Sequence, residues 1–317
     1  MSDSGGGDEK TDAPAVGVRQ ARADDHDGVV GFTDDTWPDR DVSDYLPRVF
    51  PEWVATDGPD QRTFVATVDG SPAGVLQAVL LSGHEAWAQG MRVAPDARGL
   101  GLAHRLTGAV FDWAVGRGAT VCRTLVFSWN VDGLATSRGV GFEPATEFRW
   151  VHPEPDARAV SDTNHTVTDR ASAAWGYWQR SDASRALRGL TLASDESWAV
   201  RELTRERLRR LADEKRVFTV HAERGGTRGM AYRARDYEPG EGDERVAEYG
   251  VAAWANVPAA RALFAAISRD AAAVDADRTR VLIPETPRAV SDAAYTGVEL
   301  GAEPDFVLEA DLTGRGA

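Results

Sequence analysis

The chain has 317 residues, about twice a usual domain length, so two folded units are expected. It is 42% hydrophobic and 27% charged, yet no window approaches the roughly 18 apolar residues of a membrane span, and the start lacks the apolar core of a secretory signal. The 50 acidic against 36 basic residues leave a net charge of −14, which argues against a general nucleic-acid binder, because gripping polyphosphate needs a cationic surface. A soluble, cytoplasmic protein with no membrane or nucleic-acid partner is expected. Lysine occurs only at Lys10 and Lys215. Scarce lysine with abundant carboxylate resembles the halophile-like acidic proteins of a high-salt cytoplasm. A GC-rich genome is the alternative for the lysines, but not for the excess of acid.

Residues 1–14 are mostly Gly, Asp and Ser and read as a disordered acidic tail. A strand over Val16–Arg22 opens the first unit, and Asp24-Asp25-His26-Asp27 suits a helix start. Around Asp41 to Ala55, Val42, Tyr45, Leu46, Val49 and Phe50 fall at helical spacing. Arg62–Val68 and Ala73–Leu81, joined by Asp69-Gly70-Ser71, predict a hairpin. A strand Glu85–Val93, a Gly-rich turn, a helix to about Val115, a strand Thr120–Trp129, a short helix 131–138 and a strand Glu147–Val151 complete a domain over 15–151. Residues 152–170 are polar and proline-bearing and read as a linker. Then come a Trp-rich stretch (Trp175, Trp178: packing, or the lining of an acceptor cleft), a strand Ser197–Leu203 and a helix Arg205–Asp213. A hairpin Arg216–Ala222/Gly229–Arg235, a strand Arg245–Ala253 and a helix Pro258–Val274 follow. A strand Thr279–Ile283, a helix Arg288–Gly297 and a strand Phe306–Ala310 close a second domain over 171–317. The order repeats that of the first domain, which reads as a duplication at fold level; an unrelated α/β domain of similar alternation is the alternative.

The segment Met91-Arg-Val-Ala-Pro-Asp-Ala-Arg98-Gly-Leu-Gly101-Leu-Ala103 is a strand end, a Pro-marked turn, an Arg-Gly-x-Gly loop and a helix start. Gly99 and Gly101 let the backbone approach a ligand, and successive amides at a helix start form an anion cradle. A phosphate or pyrophosphate is its natural guest. A nucleoside-triphosphate loop needs Gly-Lys-Ser/Thr and a dinucleotide fingerprint needs three glycines after the first strand; neither is present.

The segment does resemble the acyl-CoA loop of the GNAT (GCN5-related N-acetyltransferase) family, Gln/Arg-x-x-Gly-x-Gly/Ala. Arg98-Gly-Leu-Gly101-Leu-Ala103 satisfies it in one register, and Asp96-Ala-Arg-Gly99-Leu-Gly101 gives the other with Asp96 first. Asn130 followed by Gly141-Phe142 is similar to the family's downstream signature. The resemblance covers about 16–151 and implies an α/β (α+β) mixed sheet in which the fourth and fifth strands splay around the pantetheine arm of acetyl-CoA. Backbone groups of Met91, Arg92 and Val93 would pair with that arm. Amides of Gly99, Leu100, Gly101, Leu102 and Ala103, with Arg98, would hold the pyrophosphate, and Asn130 belongs to the same cofactor region. The amide near Met91 would stabilise the oxyanion, and Gly90 suits a bulge that opens the strands.

The expected function is acetyl transfer from acetyl-CoA to a primary amine of a small molecule or peptide, by direct attack on the thioester. A non-catalytic acyl-CoA-binding regulatory module is the alternative. Glu85 is placed like the base glutamate of the histone-acetylating branch; a turn carboxylate is the other reading, and His84 is a second candidate. Ser137 stands where many members carry a Tyr acid, its shorter hydroxyl leaving water or direct thiolate release as alternatives. Cys122 reads as a buried thiol. The six histidines show no metal-ligand spacing, so no metal is expected. In the second domain Ala255-Asn-Val-Pro-Ala-Ala260 replaces the Gly loop, which predicts a degenerate copy. The protein is expected to be a monomer or homodimer.

Overall fold

A computed structural model of the chain describes residues 13–33, 36, 44–214, 216–238 and 244–315. Most of the expected tail and residues 41–43 of the expected second helix lie outside them. The chain forms two compact units, one running to Cys122 and resuming at Leu312, the other spanning Arg123–Asp311.

Unit 1 contains β1 (Val16–Gln20), α1 (His26–Thr33), α2 (Leu46–Thr56), β2 (Gln61–Val68), β3 (Ser71–Leu80), β4 (Glu85–Val93) and α3 (Leu102–Val115); the chain passes to unit 2 inside β5 (Val121–Phe127). Strands β1 to β4 pair antiparallel in sequence order. Asp69 and Gly70 form the two-residue turn between β2 and β3, with φ of 48° and 89°. Positive φ at both central positions is what a tight hairpin needs to match strand twist. On one face of the sheet Val65 and Val75 pack with Val29, Leu46 and Phe50 of α1 and α2. Gly74 lies on the opposite face from Val75, where a Cβ would come within 3.1 Å of Leu106 of α3. Leu102, Leu106 and Val110 of α3 are all buried, and each contributes about 1.5–3 kcal/mol by leaving water. That burial anchors the loop at the head of α3.

Unit 2 continues with α4 (Val131–Gly139), β6 (Glu143–His152), β7 (His165–Thr168), α5 (Ala171–Trp178), α6 (Asp182–Ala186), β8 (Leu190–Leu192), β9 (Val200–Glu202), α7 (Arg205–Asp213) and β10 (Val217–Ala222). It ends with β11 (Thr227–Tyr237), β12 (Val246–Trp254), α8 (Val257–Ala273), β13 (Arg278–Pro284), α9 (Pro287–Thr296), β14 (Glu299–Leu300) and β15 (Asp305–Asp311). Its main sheet runs β15-β6-β13-β12-β11-β10-β7, with β14 beside β6 and the β12–β13 pair parallel; β8 and β9 form a separate hairpin. Ala259, Ala260, Leu263, Ile267 and Ala271 of α8 pack with Tyr249, Val281 and Ile283 of the sheet. The small alanines bring helix and sheet close.

Two features differ from the expected layout. The compact units divide inside β5, before the polar stretch 152–170. Within that stretch, His165–Thr168 is a strand paired with β10, a partner some fifty residues away that leaves no local signal. Among the described residues, no helix is long and apolar enough to cross a membrane.

Candidate active site

The end of β4 is bent out of regular pairing. Val75 faces Arg92 and Gln77 faces Gln89, so Gly90 and Met91 together oppose Leu76 alone. This is a two-against-one bulge, and it leaves a backbone group out of the ladder. Gly90 makes it possible in two ways. Its φ is +73°, and a Cβ there would lie 2.7 Å from the Trp53 ring and 3.2 Å from Leu46. The bulge expected at Gly90 is therefore present.

After Val93 the chain makes a short 3-10 turn, Pro95–Ala97, before Arg98. Gly99 and Gly101 then take φ of +83° and +75°, and a Cβ on either would meet nothing within 4 Å. Gly101 caps α3 with no side chain of its own. Among the described residues, the amides of Gly99 to Ala103 donate to no backbone carbonyl outside regular helix and strand pairing; the first such bond comes from Arg105, to Gly101. Arg98 is exposed, as is Asp96. A helix start with unclaimed donors, open space and a nearby guanidinium is suited to a phosphate. The longest helix described in unit 2, α8, is built differently: the Asn256 side chain accepts from the Ala259 amide at 3.0 Å, and Pro258 lies in the first turn.

Side chains from three other elements fix this end of β4. Arg92 donates through Nε to Asp44 Oδ2 at 2.7 Å and through Nη1 to the Met91 carbonyl at 2.9 Å. Its guanidinium also lies 5.7 Å from the Tyr45 ring centre, and Tyr45 meets Trp53 edge-on at 6.2 Å. One residue before the bulge a polar ladder crosses the sheet. Gln89 Nε2 donates to Gln77 Oε1 (2.7 Å), Gln77 Nε2 to Thr63 Oγ1 (3.2 Å), and Thr63 Oγ1 to Asp57 Oδ1 (3.1 Å). Gln77 and Thr63 are buried, so each amide and hydroxyl must find a partner, and the ladder sets the β4 register. Sequence reasoning missed Asp44, Trp53 and this ladder. The only signal was a Gln or Thr at the facing position of three consecutive strands.

Met91, Arg92, Val93, Arg98, Gly99, Leu100, Gly101, Leu102 and Ala103 are thus brought together in unit 1. Glu85 is not with them. It begins β4, is buried, and accepts from Ser82 Oγ at 2.9 Å. Six residues of strand put it about 20 Å from Met91. His84 is an exposed turn residue 3.2 Å from the same Ser82 hydroxyl. Cys122 is buried. Asn130 and Ser137 belong to unit 2. The Asn130 side chain accepts from the Gly133 amide at 2.9 Å and caps α4; Ser137 is half-buried, and its carbonyl accepts from Phe142. Trp178 is buried and, with Trp175, lines a cavity of about 290 Å³ within unit 2.

The cradle and the bulge lie inside a segment that resembles a known family. Residues 26–142 match the acetyltransferase (GNAT) family model. Over more of the chain the fold is similar to that of a GCN5-related N-acetyltransferase from Sphaerobacter thermophilus. That chain is 13% identical, with 94% of this chain and 96% of that chain covered and a TM-score of 0.58. A chain from Thermoplasma acidophilum is similar too, at 16% identity, coverage of 93% and 99%, and a TM-score of 0.56. No curated protein matches the chain. The GNAT-family segment contains every element from α1 to α4.

Proposed function

We propose that the protein is an acetyl-CoA-dependent N-acetyltransferase whose catalytic domain is residues 15–151, with 171–317 a degenerate copy. One observation carries the reading: α3 begins with unclaimed amides opening onto free space, whereas α8 is closed by its own Asn256 and Pro258. The repeated order of hairpin, strand, helix and strand in β10 to β13 supports the duplication.

In this reading the Gly99–Ala103 amides and Arg98 hold the pyrophosphate, and the end of β4 pairs with the pantetheine arm. The Met91 carbonyl already accepts from Arg92, so the backbone donors of the bulge are the groups that polarise the thioester carbonyl. A neutral amine attacks that carbon; the C–N bond forms, the C–S bond breaks, and CoA leaves as thiolate. The amine's proton departs through water, since Glu85 lies at the far end of β4 and acts on the turn at Ser82. Water protonates the thiolate.

The acceptor is a primary amine on a small molecule or peptide, and Tyr45 and Trp53 beside the bulge favour one with an apolar body next to the amine. Thiol release from acetyl-CoA, followed with a panel of primary amines, tests the proposal. Turnover with at least one amine, lost in Gly101→Trp, supports it. Acetyl-CoA binding without turnover on any amine would make the protein a binding module instead.

A further inference from the structure

The segment from β9 into α7 is out of character with the chain. In a protein of net charge −14, residues 201–210 carry five arginines against two glutamates. Arg205, Arg209 and Arg210 are exposed, but Arg207 points inward, with its side chain only 7% exposed. Arg207 Nη2 reaches the Leu192 carbonyl at 3.4 Å. Its Nε and Nη1 are buried with no acceptor among the described residues, and the same is true of Nε of Arg201 on β9. Both guanidiniums approach one carboxylate, Asp195, at 3.2 Å from Arg201 and 3.9 Å from Arg207. Asp195 sits exposed on the loop between β8 and β9. A buried guanidinium with unfilled donors costs a fold its full desolvation.

We propose that unit 2 binds a phosphate group between Arg201 and Arg207, beside the start of α7. The existing Asp195 contact indicates why the ligand is a phosphate rather than a carboxylate. A single carboxylate already reaches both guanidiniums and leaves three nitrogens without an acceptor. A phosphate monoester brings three acceptor oxygens and about −1.5 to −2 charges, enough to meet two planar forks at once. It takes the place of the exposed Asp195 carboxylate. The dipole of α7, nine residues long with Thr204 as its cap, favours the same charge. The Tyr232 hydroxyl, donating to the Leu192 carbonyl at 2.8 Å, holds β8 in position beneath the pair. The site is separate from the loop of unit 1 and does not depend on acetyl transfer.

The test is calorimetric titration of the full-length chain, at constant ionic strength, with inorganic phosphate, glycerol phosphate and acetate. Because the α3 loop also attracts phosphate, the titrations are run in the Gly101→Trp background as well. The proposal expects binding of phosphate or its ester that survives Gly101→Trp, weakens at least tenfold in Arg207→Met, and changes less than threefold in Arg209→Gln. Tighter binding of the ester assigns the site to a phosphorylated metabolite, and tighter binding of the free ion to phosphate itself. Arg207→Met should melt no lower than the parent in phosphate-free buffer, because it removes the unfilled donors. No binding, equal binding of acetate, or heat untouched by Arg207→Met overturns the proposal. So does a lower melting temperature of Arg207→Met, which would show that ordered water already fills the site.

Discussion

Replacing Gly90 with alanine tests the bulge on which the β4 geometry depends. Two costs add. An L-residue held at φ +73° loses about 1–2 kcal/mol against glycine. The new methyl, 2.7 Å from the Trp53 ring, overpacks the contact for about 1–3 kcal/mol more. Gly90→Ala should therefore destabilise unit 1 by about 2–5 kcal/mol, read as a lower urea midpoint with unchanged slope. Trp53→Leu makes room for the methyl and relieves only the second cost. The double variant should then show coupling of about 1–3 kcal/mol, with the backbone cost remaining. If Gly90→Ala stays within about 0.5 kcal/mol of the parent, or the pair shows no coupling, the bulge is not held by this contact and the argument fails.

Burial pushes the Asp305 carboxyl up to about 6, outweighing the Trp150 indole donor. The fold then keeps a proton that the unfolded chain releases near ~3.9, so stability falls as pH rises from there to about 6. Melting curves of the parent should show that fall, of order ~3 kcal/mol, and Asp305→Asn should abolish it; a parallel pH profile in the variant contradicts the assignment. Asn130→Ala, which removes the α4 cap, should cost about 1 kcal/mol in chemical denaturation and expose the Gly133 amide to faster hydrogen exchange.

Much of unit 1 was legible because its signals are local. The β2–β3 turn needs positive φ at two adjacent positions, and Asp69-Gly70 supplies it. The α3 stripe of Leu102, Leu106 and Val110 repeats at helical spacing, and Gly90 marked its bulge. Where partners are distant, the sequence is silent. Asp44 finds Arg92 across 48 residues, β7 finds β10 across about fifty, and Arg207 is set apart from the exposed arginines of its own helix only by its burial. Glu85 illustrates the converse: its spacing before Arg98 resembles that of a base glutamate, and its position at the start of β4 sets its carboxylate against Ser82. Asn130 reads in sequence as a cofactor residue; in the structure its side chain caps α4.

The central claim is that the 91–103 segment holds acetyl-CoA, and isothermal titration of acetyl-CoA into the full-length chain tests it most directly. The account predicts one molecule bound per chain, no binding in Gly101→Trp, and binding weakened about tenfold, ~1.4 kcal/mol, in Arg98→Glu, whose exposed position leaves the fold intact. No binding by the parent chain, or equal binding by both variants, would contradict it.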